Sequence, residues 1–151
     1  MHHAGQILSG MLLGVLAVFL STEVFAQADV IEKRQQVMKQ QSADAKAIKA
    51  AVESKDYATI ETKAKDLMGT AEKIPELFPK GSTKGKTKAK AEIWENWDDF
   101  TKKAKALKSA ASDLAAAAKS KDHAAVEAKV KEVSGACSGC HKSFRAEKYP
   151  E

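Results

Sequence analysis

SKDYATIETKAKDLMG, residues 54–69, aligns without gaps on SKDHAAVEAKVKEVSG, residues 120–135, with 8 identities in 16 positions. The two copies lie 66 residues apart, which suits two helical hairpins joined in tandem. Each Ser-Lys-Asp then forms a tight turn between two helices, with Asp56 and Asp122 as the N-caps of the helices that follow. Chance similarity between helices rich in Ala, Lys and Glu is the alternative interpretation.

Apolar residues recur at helical spacing in four segments around these turns. The long connection between the second and third segments, residues 75–89, holds two prolines and two glycines and is predicted to be a surface loop whose Leu77-Phe78 pair tucks under one end. The pattern therefore predicts an all-α fold, an antiparallel four-helix bundle with one long loop between helices 2 and 3. The four predicted stripes are Ile31, Arg34, Met38, Gln41, Ala45, Ile48 and Val52; Tyr57, Ile60, Ala64, Leu67, Met68, Ala71 and Ile74; Ile93, Trp94, Trp97, Phe100, Ala104, Leu107, Ala111, Leu114 and Ala118; and Val126, Val130, Val133, Cys137, Cys140, His141 and Phe144.

The composition agrees with one helical domain. The chain has 151 residues, of which 44% are apolar, 30% charged and 6% aromatic, with only 8 glycines and 3 prolines. Such a chain is long enough for a single core. The scarcity of aromatic and β-branched residues argues against a β-sandwich or barrel.

The N-terminal segment is predicted to be an export signal. Residues 7–20 form the one long apolar run, which is short for a transmembrane helix and typical of a signal-peptide core. We expect residues 1–26 to be removed as the signal peptide, with a second acceptable cleavage site after residue 28, which leaves residues 27–151 as the functional domain. The region before the run has no Lys or Arg, so a retained membrane anchor is the alternative.

The predicted mature chain is basic. All 25 Lys and Arg residues lie beyond residue 28, and loss of Glu23 leaves 19 acidic residues, a net charge of +6. The lysines are spread along the chain rather than clustered with aromatic residues, so no nucleic-acid partner is expected. An acidic protein partner is the preferred interpretation. Part of the positive electrostatic field that would attract it is expected to come from four lysines of the long loop: Lys80, Lys84, Lys86 and Lys88.

Residues Cys137-Ser138-Gly139-Cys140-His141 form the haem c attachment signature C-x-x-C-H. Two thiols one helical turn apart can add to the two vinyl groups of a haem, and the adjacent His141 can bind the iron. The motif uses both cysteines of the chain. Three alternatives are weaker: a disulfide within a helix has poor geometry, a thioredoxin-like motif needs a β-strand, and structural zinc needs four ligands.

These features together resemble the class II cytochromes c, which comprise cytochrome c′ and its low-spin relatives of the cytochrome c-556 type. The resemblance covers residues 29–147 and rests on the C-terminal motif continued as far as Arg145, on Arg34-Gln-Gln-Val-Met38, and on Phe78-Pro79-Lys-Gly81-Ser82 followed by Ile93-Trp94. It implies a left-handed four-helix bundle that holds one covalent haem c between its helices in a bacterial periplasm.

The resemblance also implies roles for single residues. Arg34 would lie by the haem propionates, Met38 on the distal side of the iron, Trp94 near the porphyrin and Arg145 beside the proximal imidazole of His141. Arg34 and Met38 stand four residues apart, hence on one helix face. The alternatives are a solvated Arg34, and core packing for Met38 and Trp94.

The leading functional interpretation is an electron carrier, not an enzyme, with a low-spin haem ligated by His141 and Met38. The rival is a five-coordinate, high-spin cytochrome c′ that binds nitric oxide or carbon monoxide, with Met38 only covering the iron. The phrase Arg-Gln-Gln-Val-Met-Lys favours the low-spin type by resemblance. A haem-free bundle is a third interpretation, which requires that the thioethers never form.

The remaining expectations concern assembly. We expect no stable membrane insertion after signal removal, acidic redox proteins as partners and small gases as ligands of the rival type. Family members often dimerise through the first two helices. In this chain Val30, Val37 and Ala51 would supply a thin apolar strip for such a homodimer.

Overall fold

The computed structural model describes the backbone of residues 12–149 and the side chains of residues 28–149. Its helices are α1 (Leu12–Ser54), α2 (Tyr57–Lys73), α3 (Glu92–Glu95), α4 (Trp97–Ser120) and α5 (His123–Phe144), and a 3₁₀ turn at Pro75–Leu77 follows α2. Helices α1, α2, α4 and α5 form a bundle, and residues 74–91 form the long loop between its second and third helices. The predicted four-helix bundle is therefore confirmed.

The repeated Ser-Lys-Asp sequences form the two tight turns. Asp56 accepts a hydrogen bond from the backbone N–H of Thr59, and Asp122 accepts one from that of Ala125, so both are N-caps. Lys55 and Lys121, which precede these caps, both adopt the left-handed conformation, with φ of 56° and 57°. The two copies thus share a backbone geometry as well as a sequence, which confirms the predicted hairpins.

The core lies where α2 packs against α4, α4 against α5 and α1 against α2, whereas α1 and α5 contact each other directly over only a short stretch. Alanines of α4 let its neighbours approach closely. Removing this apolar surface from water is the main force that holds the helices together. The buried apolar residues are Ile31, Ile48, Ala51, Ile60, Ala64, Leu67, Ala71, Ile74, Phe78, Ile93, Phe100, Ala104, Leu107, Ala110, Ala111, Leu114, Ala115, Ala117, Ala118, Val126, Val133 and Phe144.

The buried face of α1 differs from the predicted stripe. Ala45 is exposed, and Asp44 is buried instead, with 1% of its surface accessible. The Asp44 carboxylate pairs with Lys63 of α2, at 3.2 Å, and accepts a hydrogen bond from Gln40. The reason is that α1 packs mainly against α2, so its buried arc is turned toward α2 and away from α5.

The third predicted helix is interrupted. Asn96 adopts φ −122° and ψ 49°, outside the helical region, and separates the single turn of α3 from α4. Trp97, placed on the predicted core stripe, is 36% exposed. The break lets Trp94 of α3 point at the long loop, where its indole N–H donates to the carbonyls of Phe78 and Pro79, both at 3.0 Å.

Two predictions about the first helix have different outcomes. The predicted signal peptide, residues 1–26, lies outside the residues whose side chains are described, and its removal stays a prediction. Within the described residues, no helix combines the length and apolar character that a membrane crossing requires. Ala51 is buried in the core, so the predicted dimer strip retains only the half-buried Val30 and Val37.

Candidate haem site

The attachment motif lies in the last two turns of α5. Cys137 and Cys140 are free, half-buried thiols that pack against the apolar core, whereas Ser138 and Gly139 between them are exposed. Helical spacing of three residues therefore puts both sulfurs on the inner face of α5. His141 follows in the last turn and is exposed to solvent.

The surroundings of these residues set their protonation. Burial raises the pKa of both the Cys137 and the Cys140 thiol above the ordinary value. Partial desolvation, and then the positive charge of Arg145, lower the pKa of His141. A lowered pKa keeps the imidazole of His141 neutral at neutral pH, so that a nitrogen lone pair is free to bind a metal.

Met38 lies on α1, one turn beyond Arg34, and packs half-buried against the same apolar cluster that Cys137 and Cys140 contact. This core runs through the whole bundle, so Met38, Cys137 and Cys140 all face its interior, and the predicted place of Met38 on the distal side of the iron stays a prediction. The predicted roles of Met38, as an iron ligand or as a cover for the iron, both require this placement.

Arg34 is buried, with 4% of its surface accessible, and is not the solvated residue of the alternative interpretation. Its guanidinium makes three short hydrogen bonds: Nε donates to the Leu77 carbonyl at 3.0 Å, Nη1 to the Thr87 hydroxyl at 3.1 Å, and Nη2 to the Ser82 hydroxyl at 2.7 Å. Nη1 and Nη2 also both donate to the Ser82 carbonyl, at 3.4 Å. The guanidinium also lies over the Phe78 ring, at 4.0 Å from its centroid. Burial lowers the pKa of Arg34 to about 10, so it stays charged at neutral pH.

An aromatic cluster links the long loop to α4 and α5. Phe100 is its centre and lies edge-on to Phe78, at 4.8 Å between ring centroids, and to Phe144, at 5.4 Å. Trp94 lies 6.3 Å from Phe78 and Trp97 lies 5.5 Å from Phe100. Phe144 is buried in the core as predicted, three residues after His141.

Arg145 ends α5 and pairs with the long loop. It forms an antiparallel bridge with Ala89, in which Lys90 N–H donates to Phe144 O at 3.1 Å and Ala146 N–H donates to Lys88 O at 2.8 Å. The Arg145 side chain is exposed, and its charge acts on His141, as noted above. The predicted place of Arg145 beside the imidazole stays a prediction for the haem-bound protein.

His123 is far from this site. It lies at the start of α5, 18 residues before His141, which corresponds to about 27 Å along a helix. It is half-buried, and its ring lies edge-on to that of Tyr57, at 6.3 Å between ring centroids. His123 therefore cannot reach an iron held by His141.

The sequence analysis gave no role at the site to three residues of the long loop: Phe78, Ser82 and Thr87. Ser82 and Thr87 are buried polar residues, and the Arg34 guanidinium lies over the Phe78 ring. The available signal was the presence of three hydroxyl residues, Ser82, Thr83 and Thr87, in a loop otherwise rich in lysine and glycine. No local pattern connects them to Arg34, which lies 43 to 53 residues away from its loop partners.

The residues present fit a covalently attached haem. Two free thiols one turn apart, a neutral imidazole and a half-buried thioether form a donor set suited to haem iron. The hydrogen bonds of Arg34 all go to neutral oxygens, and none of the ion pairs among residues 28–149 involves it. A buried cation in this setting favours anions such as propionates nearby. Among the described residues, no group of three or more His, Cys, Asp or Glu could hold a separate metal ion.

Comparison with known proteins agrees with the geometry. The model of the family described as Cytochrome C′ matches residues 29–145. Cytochrome c′ from Rhodospirillum rubrum is 34% identical over 143 residues, covering 91% of this chain and 97% of the relative. Cytochrome c-556 from Agrobacterium tumefaciens is 36% identical over 136 residues, covering 80% and 100%.

The solved structures agree in fold. Cytochrome c′ from Thermochromatium tepidum superimposes with a TM-score of 0.75 at 31% identity, covering 80% of this chain and 97% of that one. The two free cysteines of this chain suit the single covalent haem c of such proteins. The chain belongs to the cytochrome c′ family, the monohaem class II cytochromes c.

Proposed function

We propose that this chain is a high-spin cytochrome c′, in which His141 is the only protein ligand of the haem iron and a small gas, nitric oxide or carbon monoxide, binds on the opposite side. The observation that carries this proposal is the similarity, over 91% of the chain, to a protein named cytochrome c′. The packing of Met38 against the apolar cluster supports it, because a thioether held by its neighbours covers a site without having to bond to it.

Each residue of the site has a task in this proposal. The thiols of Cys137 and Cys140 would hold the haem through two thioethers, and the neutral imidazole of His141 would bind the iron. Arg34 would favour the propionate charges at the loop end. When bound, the haem supplies an iron that changes oxidation state and takes a gas as a ligand.

The low-spin electron carrier is the second candidate. The relative named cytochrome c-556 favours it, because the resemblance associates that type with low-spin haem and because its identity to this chain is 36%. In this candidate Met38 bonds to the iron, and the thioether stabilises Fe(II). Both candidates are electron-transfer or gas-binding proteins that require no catalytic group.

Location and partners belong to the proposal as well. Export to the periplasm would follow from the predicted signal peptide. An acidic protein would be the redox partner, since the predicted mature chain carries a charge of +6. Such an encounter should slow as ionic strength rises.

The test is gas binding by the purified, reduced holoprotein. Saturable binding of carbon monoxide, with one gas per haem and a rate proportional to gas concentration at all concentrations tested, would support an open sixth position. A rate that levels off at high gas concentration would instead indicate that a protein ligand must leave first, and the low-spin candidate would replace the proposal.

A further inference from the structure

The long loop, residues 74–91, is bonded to α1 mainly through one side chain, that of Arg34. Arg34 uses its five N–H donors in five contacts, all with residues 77, 82 and 87 of the loop. Gln35 adds a hydrogen bond from Nε2 to the Lys86 carbonyl, at 2.7 Å. A Cβ on Gly85 would meet the Ile31 side chain at 3.3 Å, so the loop also packs closely on α1.

The same loop is bonded to α5. Its residues 88–90 form the antiparallel bridge with residues 144–146, and Lys88 Nζ donates to the Glu147 carbonyl at 2.7 Å. The ammonium groups of Lys86 and Lys88 lie over the Tyr149 ring, at 5.7 and 4.9 Å. The segment that follows the haem-attachment motif is thus held by the loop.

Thr87 joins the two sets of contacts. Its hydroxyl accepts from Arg34 Nη1, at 3.1 Å, and from the backbone N–H of Ala89, also at 3.1 Å. Ala89 is the residue that bridges to Arg145 of the α5 end. Thr87 is buried, with 4% of its surface accessible. If its hydroxyl were removed, water would not readily take its place as the hydrogen-bond acceptor.

We propose that the long loop is a strap that fixes the position of α1 relative to α5, with Arg34 as its positioning residue, and that it thereby sets how closely Met38 covers the sixth position of the iron. The proposal rests on the proposed function in placing the haem between His141 on α5 and Met38 on α1. It follows from two observations: the direct contact between α1 and α5 is short, and the loop is hydrogen-bonded both to α1 and to the end of α5.

The contacts of Arg34 with the loop also determine how Arg34 can act on the haem. A guanidinium that donates all of its N–H groups to the loop has none to give to a propionate unless a loop contact breaks. Arg34 then acts on the haem through its charge and through α1. Loosening the loop should allow α1, which carries Met38, to move away from α5 more often.

The test is the holoprotein with Thr87→Val, which keeps the side-chain volume and removes the shared acceptor. We expect hydrogen exchange of the loop amides to become about tenfold faster, because a buried hydrogen bond is lost. We also expect carbon monoxide to bind the reduced protein several-fold faster. If the unmodified protein is low-spin, the variant should instead show a larger high-spin fraction, so a failure of the proposed function is seen separately.

The matched control is Thr70→Val. The Thr70 hydroxyl accepts from Gln41 of α1 at 3.2 Å but belongs to α2, away from the loop. We expect this variant to lose a comparable contact with α1 and to leave loop exchange and gas binding unchanged. Ser82→Ala, which removes the acceptor at 2.7 Å from Arg34 Nη2, is the second variant should Thr87→Val fail to fold.

Three results would overturn the proposal. Unchanged loop exchange in both Thr87→Val and Ser82→Ala would mean that Arg34 does not hold the loop. Faster loop exchange with an unchanged gas-binding rate and spin state would mean that the loop does not control Met38. An equal acceleration of gas binding in Thr70→Val would assign the effect to general loosening of α1.

Discussion

Replacing Arg34 by Lys tests the burial of this residue directly, because the change keeps the positive charge and removes the planar fork. Arginine has five N–H donors and lysine three, all on one nitrogen. Arg34 makes five hydrogen bonds with Leu77, Ser82 and Thr87, and a lysine ammonium can make at most three. At least two hydrogen bonds from a charged donor are therefore lost, and the stacking on Phe78 is weakened.

The magnitude follows from these contacts. Hydrogen bonds to charged groups contribute about 1.5 to 3 kcal/mol each, so two of them correspond to about 3 to 6 kcal/mol. Water that enters at the loop reduces this loss, and we expect the free energy of unfolding of the holoprotein to fall by about 3 kcal/mol. Since a domain of this size has a total stability of about 5 to 15 kcal/mol, the effect should be large.

The assay is urea unfolding of the holoprotein, followed by circular dichroism. The control is Arg145→Lys, because Arg145 is the other arginine of the chain and its side chain is exposed. We expect the control to change the free energy of unfolding by less than about 0.5 kcal/mol. Equal, small effects of both substitutions would refute the account of Arg34 as the buried anchor of the loop.

Three further predictions concern the core, the caps and the distal side. Phe100→Ala should lower the free energy of unfolding by about 3 to 5 kcal/mol in urea unfolding, because it removes the centre of the aromatic cluster, whereas Phe100→Leu should cost less than about 1.5 kcal/mol. Hydrogen bonds from the Thr59 hydroxyl and N–H lower the pKa of Asp56 in the folded protein. The stability that this shift contributes is present above the pKa of the unfolded state, about 3.9, and is lost as the pH falls through the lower folded pKa. Melting temperatures of Asp56→Asn, which keeps a cap, should therefore fall less below pH 4 than those of the unmodified protein, and parallel curves would contradict this. Met38→Ala should speed the association of carbon monoxide measured by stopped flow, because less of the distal side is covered, and an unchanged rate would place Met38 elsewhere.

Much of the fold could be predicted from local sequence. The Ser-Lys-Asp repeats form turns because an Asp before a helix caps its free N–H groups, and this depends on neighbours only. The attachment motif is similarly local, since Cys137, Cys140 and His141 fall within five residues of one helix. The helical spacing of apolar residues identified most of the buried faces of α2 and α4, because in these two helices the apolar side chains are the ones that face the neighbouring helices.

The rest depends on contacts between distant parts of the chain. The burial of Asp44 follows from Lys63 on another helix, and the pattern of α1 alone favoured Ala45 at that turn. The break at Asn96 accompanies the hydrogen bonds of Trp94 to loop carbonyls 15 and 16 residues away. No periodic signal records such pairings, because the apolar spacing is the same in a continuous and in an interrupted helix.

The coordination of the iron is also beyond the sequence. Met38 packs half-buried against the core, and its motif resembles that of low-spin relatives, whereas most of the chain is similar to a protein named cytochrome c′. In our proposal, the difference between the two is the position of α1, which carries Met38. That position would depend on the contacts of Arg34 with the folded loop, which join residues far apart in the sequence.

The central claim, that His141 is the only protein ligand of the iron, is tested most directly by the spin state of the purified holoprotein. The measurement is the absorption spectrum in the oxidised and reduced forms, together with electron paramagnetic resonance of the oxidised form. The account predicts a high-spin haem in both oxidation states, which becomes six-coordinate when carbon monoxide is added to the reduced protein. A low-spin haem in both states that becomes high-spin in Met38→Ala would contradict it and establish a bond between Met38 and the iron.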